Sequence, residues 1–140
     1  MLWTILISSF ALEFVDVPTE SQERAIAEVS ESALLCNSPS GFEALFHVSG
    51  SGEITGAHTS EELSELNEDV FLKCPLDFLL ALMAQSEATQ ASVLNAYFGI
   101  RHPPWELGAE LRKWKDHEDV GTFVRENFGG YLESEAPPEA

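Results

Sequence analysis

Basic residues are scarce in this 140-residue chain, where seven Lys and Arg stand against 24 Asp and Glu, a formal net charge of −17. A field of this sign repels nucleic acid and anionic lipid and attracts basic proteins, so we expect neither nucleic acid nor membrane as a partner. The deficit is uneven. Residues 1–72 contain thirteen acids and one base, Arg24, whereas residues 73–140 contain eleven acids and six bases. Such asymmetry favours a binding face.

Cysteine is equally rare. Cys36 and Cys74 belong to no C-x-x-C pair and are flanked by apolar residues, so the chain has no dense disulfide framework. We predict two free, buried thiols in a reducing compartment. Cys74 precedes Pro75 at a possible helix start, which lowers a thiol pKa, but nearby acids oppose the thiolate. A structural role is therefore favoured over a nucleophilic one.

Long hydrophobic runs are also absent. Met1 to Phe14 is apolar, but it is too short to span a bilayer and has no Lys or Arg before its apolar run. We interpret it as part of the core rather than a signal peptide and expect a cytoplasmic protein. Trp3–Ser8 is rich in β-branched and aromatic residues, which predicts a strand. Whether Met1–Val17 is strand or helix throughout stays open.

No catalytic motif occurs. The chain has no Walker loop, G-x-G-x-x-G, H-E-x-x-H, EF-hand loop or G-x-S-x-G. A zinc site from His47, His58 and a cysteine would need a spacing that matches no compact ligand pattern. The basic stretch 112–115 is surrounded by acids, which predicts a salt-bridged helix face. We expect no catalytic residue, no cofactor and no metal.

The periodicity predicts an α+β fold, mostly helical, with an N-terminal strand and a β-hairpin at about 42–58 packed against four to six helices. Phe42, Ala44, Phe46 and Val48 alternate with polar positions, and Ser49–Gly52 supplies a turn before a return strand over Glu53–His58. We predict one globular domain over 1–132 and a disordered acidic tail over 133–140.

Helix starts are predicted by the capping box at Thr19–Gln22, by Thr59, Pro75, Ser86 or Thr89, and Pro104, and by Asp119. The apolar stripes of these helices, with one face of the hairpin, predict the core. Its members are Ile26, Val29, Phe46, Leu79, Leu82, Leu94, Leu111, Trp114 and Phe123.

The densest acid cluster follows Thr59 and contains Glu61, Glu62, Glu65, Glu68 and Asp69. A solvated helix face is the simpler interpretation of such a run. The functional interpretation is a docking surface for a basic partner, since close charge pairs speed encounter and add affinity. We predict these five residues and Trp105, at the rigid joint formed by His102–Pro104, as partner-binding residues.

In size, acidity and lack of motif, the chain resembles the immunity proteins of bacterial toxin systems. The resemblance lies in general properties and transfers no residue. It implies a non-enzymatic protein that occludes a basic site on a toxin or enzyme, as a monomer or homodimer. An acidic secretion chaperone or adaptor for a secreted effector is the second hypothesis. A small metal-dependent or hydrolytic enzyme with an unrecognised motif is the third.

Overall fold

Eight helices account for the regular structure of residues 20–138, the part of the chain that the computed structural model describes. They run over Glu20–Ala33 (α1), Pro39–Gly50 (α2), Ala57–Lys73 (α3), Pro75–Met83 (α4), Glu87–Ala96 (α5), Pro104–Arg112 (α6), Gly121–Asn127 (α7) and Gly129–Leu132 (α8). No strand occurs in this range, so the fold is all-helical and the predicted α+β class is wrong. The strand predicted at Trp3–Ser8 lies outside the described residues.

The predicted hairpin at 42–58 is replaced by most of α2, a short loop and the start of α3. The start of α2 explains this locally. The Ser38 hydroxyl accepts a hydrogen bond from the backbone N–H of Gly41 at 3.2 Å, and Pro39 occupies the first turn of the helix. A serine cap followed by proline is a strong helix start, because both satisfy or remove orphan N–H groups.

The alternation that suggested a strand is compatible with a helix as well. Phe42 and Phe46 are four residues apart, a spacing that keeps two side chains on one face in either structure. Leu45 separates the two periods. A strand would place it on the face opposite Phe46, whereas in α2 Leu45 and Phe46 are both fully buried.

The close packing of α2 on α1 also depends on a glycine. A Cβ at Gly41 would lie 2.6 Å from the backbone oxygen of Ser32, so any larger residue would push the two helices apart. The chain reverses direction after α1, and the closely packed α1 and α2 form the first layer of the fold.

The core lies around α3 and α4, and its centre is a series of phenylalanine rings. Edge-to-face pairs join Phe46 to Phe78 at 5.4 Å, Phe71 to Phe98 at 5.7 Å, and Phe98 to Phe128 at 5.6 Å between centroids. Such pairs add about 0.5–1.5 kcal/mol each beyond area burial. The chain of rings therefore ties α2, α3 and α4 to the segments before α6 and after α7.

Most predicted core residues are buried. Ile26, Val29, Phe46, Leu79, Leu82, Leu111 and Phe123 are all at most 9% exposed. Leu94 and Trp114 are half-buried against the same cluster. The Trp114 indole N–H donates to Glu110 at 3.0 Å, which leaves the ring at the edge of the core rather than inside it.

Cys36 and Cys74 form a disulfide, so the predicted free thiols are wrong. Their Cα atoms are 5.5 Å apart, within the range that a disulfide spans. The sequence separation of 38 hid this proximity. α1 and α2 fold back on each other, and α3 ends beside them. The disulfide therefore joins the segment after α1 to the α3–α4 junction.

None of the helices in residues 20–138 combines the length and apolar character needed to cross a bilayer.

Residues 134–138 contain no helix or strand. Arg112 donates hydrogen bonds to the backbone oxygens of Leu132 and Ser134, at 3.2 and 3.0 Å, where this segment begins. The predicted domain boundary and tail over 133–140 stay predictions.

Candidate protein-binding groove

The five predicted acidic residues all belong to α3, but they do not form one surface. Glu61, Glu62, Glu65 and Asp69 are partly exposed, with 37–48% of each side chain accessible. Glu68 is fully buried. Four of the five are therefore available to a partner, and the prediction that Glu68 contacts one is wrong.

Glu68 instead holds the loop between α5 and α6. Its Oε2 accepts hydrogen bonds from the backbone N–H groups of Gly99, Ile100 and Arg101, at 3.0, 3.1 and 3.3 Å. Its Oε1 accepts from the N–H of His102 at 2.5 Å. Ser64, one turn earlier in α3, donates its hydroxyl to Oε2 at 2.5 Å. Burial of a charge is tolerated only with partners of this kind.

Glycine is needed at the start of this loop. Gly99 has φ of +91°, a left-handed conformation that L side chains rarely adopt. A Cβ there would also lie 1.9 Å from the Tyr131 hydroxyl oxygen. Burial, with a further contribution from the charge of Glu68, raises the pKa of Tyr131, so its hydroxyl stays protonated and donates to the Phe98 oxygen at 3.3 Å.

The loop brings two basic side chains onto the acidic face. Arg101 contacts Glu61 through Nη1 at 3.1 Å and Glu65 through Nε at 3.3 Å. All three side chains are about half exposed, so each ion pair is worth at most about 1 kcal/mol. Their main effect is to neutralise the middle of the acidic face, around Glu61 and Glu65.

His102 lies at one end of the same face, between two carboxylates. Its Nε2 is 2.8 Å from Asp69 Oδ1, and its Nδ1 is 3.4 Å from Glu106 Oε1. Burial lowers the pKa of His102, but the hydrogen bond to Asp69 and the charges of Glu68, Asp69 and Glu106 outweigh burial and raise it above its ordinary value. The imidazolium is thus stabilised by a hydrogen bond to Asp69 and an ion pair with Glu106.

A groove of about 500 Å³ runs between α1 and α3 beside this face. Its apolar surface comes from Ile26 and Leu66, which are buried, and from Ala27 and Leu34. Its charged lining consists of Glu23, Glu61, Glu62, Glu65, Asp69, His58 and Arg101. Five carboxylates, one guanidinium and one imidazole therefore line the groove together with an apolar strip.

At the other end of the groove, Glu23 from α1 meets His58 and Glu62 from α3. His58 Nε2 lies 2.6 Å from Glu62 Oε1, one helical turn away. One donor atom from each of the three residues lies within 4.8 Å of the others. Within residues 20–138, neither Glu23 nor Glu62 forms an ion pair with a lysine or an arginine.

Trp105, the sixth predicted partner-binding residue, is half-buried in the first turn of α6 and does not line the groove. The zinc set of His47, His58 and a cysteine is excluded, because both cysteines form the disulfide. Of the salt-bridged helix face predicted over 112–115, Lys113 pairs with Glu110 at 3.1 Å, whereas Arg112 binds the backbone oxygens of Leu132 and Ser134.

Sequence reasoning missed Glu23, His58 and Arg101 as groove residues. Placing His58 at the end of the predicted return strand hid its i, i+4 relation to Glu62, which is a helical signal. Arg101 and Glu23 are distant in sequence from the cluster, and nothing local in the chain connects them to it.

No family model, curated protein or solved structure matches the chain.

Proposed function

We propose that the groove between α1 and α3 binds a basic, amphipathic segment of a partner protein. The observation that carries this proposal is the groove lining, which combines an apolar strip with five carboxylates and a single arginine. An amphipathic helix with Lys or Arg beside its apolar stripe would complement both features, as in other helix-in-groove complexes. Electrostatic steering by the negative chain would speed its encounter.

The two forms of this function predicted from the sequence remain proposals. In one, the partner is a basic toxin or enzyme that the chain occludes. In the other, the partner is a secreted effector whose segment the chain holds as a chaperone. The all-helical fold favours neither form. Measuring whether the bound partner retains its activity separates them, since occlusion abolishes activity and chaperoning preserves it after release.

The compartment is part of the same proposal. The interpretation of Met1 to Phe14 as core and of the cysteines as free thiols predicts a cytoplasmic protein, but the disulfide between Cys36 and Cys74 favours an oxidising compartment instead. Trapping thiols with an alkylating reagent at lysis, followed by mass spectrometry, tests this directly. Alkylation of both cysteines would indicate free thiols and support the reducing cytoplasm. Unmodified cysteines would support the oxidising compartment.

Binding is tested first with a synthetic probe, because the partner is unidentified. A fluorescent peptide of alternating Lys and Leu stripes should bind the whole chain, whereas the same peptide with Glu in place of Lys should not. In the chain, reversal of Glu61, Glu62 and Glu65 to Lys should slow association and flatten its salt dependence, since steering is screened over about 8 Å at physiological ionic strength.

A charge-matched control separates the groove from net charge. Glu28, Glu31 and Glu118 are exposed and lie outside the groove, so their reversal to Lys changes the net charge by the same amount. We expect this control to keep most of the association rate. An equal loss in both variants would mean that net charge alone attracts the peptide, and the groove would not be the binding site.

A further inference from the structure

We propose that Glu23, His58 and Glu62 form a binding site for a divalent transition-metal ion, with Zn²⁺ as the favoured ion, that joins α1 to α3 at the mouth of the groove. The starting observation is the convergence of one imidazole nitrogen and two carboxylate oxygens within 4.8 Å of one another. This is the sole set of three or more His, Cys, Asp or Glu donors so arranged in residues 20–138.

Two of the ligands are placed by helix geometry alone. His58 and Glu62 are one turn apart in α3, so their side chains leave the same face and meet beyond it. An i, i+4 pair of this kind is a recurrent way for one helix to supply two metal ligands. The present Nε2–Oε1 distance of 2.6 Å is shorter than the roughly 3.4 Å between ligands around tetrahedral zinc. Both side chains reach solvent and can open to this distance by rotation.

The third ligand is held in register by its neighbour. Gln22 accepts a hydrogen bond through Oε1 from the backbone N–H of Thr55 at 3.1 Å, and donates through Nε2 to the Thr55 hydroxyl at 3.1 Å. The buried Thr59 hydroxyl lies 3.3 Å from the same Oε1. These bonds fix the start of α1 against the start of α3, so Glu23 and His58 face each other before any ion binds.

The negative charge of Glu23 and Glu62 also favours binding of a cation. Arg101 is engaged with Glu61 and Glu65, and among the described residues no lysine or arginine pairs with Glu23 or Glu62. The two carboxylates together carry a charge of −2, which one divalent ion balances. Desolvation is not an obstacle, because His58 is 65% exposed and the site opens into the groove.

The donor set selects the class of ion. Imidazole nitrogen suits zinc and its first-row neighbours, whereas calcium and magnesium prefer oxygen ligands throughout. Three protein ligands leave the fourth tetrahedral position to water. The ion would also compensate part of the negative charge of the groove, whose lining includes all three ligands.

Isothermal titration of the whole chain with ZnCl₂, in a buffer that does not bind zinc, tests the proposal. We expect one ion per chain, confirmed by native mass spectrometry, and a rise in the thermal midpoint because the ion links two helices. His58→Ala and Glu23→Gln should each weaken binding at least about tenfold and remove the thermal shift. MgCl₂ should bind much more weakly.

Matched variants keep the result interpretable. His47→Ala and Glu28→Gln alter the same residue types at exposed positions outside the cluster, and both should bind zinc as the wild type does. Circular dichroism of every variant checks that the helices are retained. Absence of stoichiometric zinc in the wild type, or zinc affinity unchanged in both His58→Ala and Glu23→Gln, would overturn the proposal. Equal loss in the control variants would overturn it too, because it would indicate diffuse attraction to an acidic surface.

Discussion

Replacing Glu68 should destabilise the protein far more than replacing any other acid on α3. The buried carboxylate accepts five hydrogen bonds, four from the backbone of residues 99–102 and one from Ser64. Glu68→Ala removes the acceptor of all five hydrogen bonds and leaves a cavity where the carboxylate was. Glu68→Gln keeps the size of the side chain but exchanges one oxygen for an amide NH₂ group.

The magnitude follows from the partners lost. Hydrogen bonds to a charged group contribute about 1.5–3 kcal/mol each, although losses within one network do not add fully. Disrupting a buried charged network typically costs about 3–5 kcal/mol, which we expect for Glu68→Ala. For Glu68→Gln we expect about 2–4 kcal/mol, because the remaining oxygen accepts some bonds while the NH₂ group faces the N–H of His102 as donor against donor.

Urea unfolding followed by circular dichroism measures these changes. With a slope of about 2 kcal/mol per molar, a loss of 3 kcal/mol lowers the midpoint by about 1.5 M. The control is Glu65→Gln, where the side chain is 48% exposed and the ion pair with Arg101 contributes at most about 1 kcal/mol. A Glu68→Gln midpoint equal to that of Glu65→Gln would refute the reasoning and show that the loop folds without the carboxylate.

Three further changes test other parts of the structure. The pKa of His102 is raised in the folded state, so the protonated ring stabilises the fold fully below the unfolded-state pKa. This stabilisation disappears as the pH rises through the folded-state pKa. The difference in unfolding free energy between wild type and His102→Gln should therefore shrink from about pH 6 to about pH 8. Reduction of the Cys36–Cys74 bond, which closes a loop of 38 positions, should lower the unfolding free energy by about 4 kcal/mol on the loop-entropy estimate; an unchanged urea midpoint with dithiothreitol would contradict this. Gly41→Ala, with its Cβ 2.6 Å from the Ser32 oxygen, should cost about 1–3 kcal/mol, and a variant as stable as wild type would show that α1 and α2 can separate freely.

The sequence predicted helices well where a local signal and the tertiary structure agree. Pro75 and Pro104 open α4 and α6, and the Ser86 hydroxyl accepts from the N–H of Thr89 at 3.2 Å at the start of α5. Each signal acts within one turn of its helix, and the tertiary structure does not override it at these three positions. Asp119 failed as a cap because α7 begins two residues later, at Gly121.

The hairpin was wrong for a physical reason that short segments share. Aromatic residues four apart fit both a strand and a helix, and the Ser49–Gly52 stretch has the composition of a turn in either structure. The decisive fact is that Leu45 is buried between α2 and its neighbours, which depends on packing across the chain. The pattern of apolar residues within a segment of seven residues cannot predict which side chains such packing buries.

The acidic cluster was located correctly as part of α3, but its members could not be distinguished. Glu65 and Glu68 have similar neighbours in the chain, and only tertiary contacts with residues 99–102 make one exposed and the other buried. The disulfide escaped for the same reason. A contact between segments far apart in sequence leaves no local pattern, so charge density alone predicted both carboxylates as surface residues.

The buried carboxylate explains how α3 tolerates the exposed ones. Like charges one turn apart destabilise a helix by a few tenths of a kcal/mol per pair, and Glu61, Glu65 and Asp69 form two such pairs. Glu68 fixes the loop whose next residues, Arg101 and His102, reach these three side chains. The repulsion is thus relieved from within the chain at the centre and one end of the face. Glu23 and Glu62 receive no such lysine or arginine partner within residues 20–138, and theirs is the charge that the proposed zinc ion would balance.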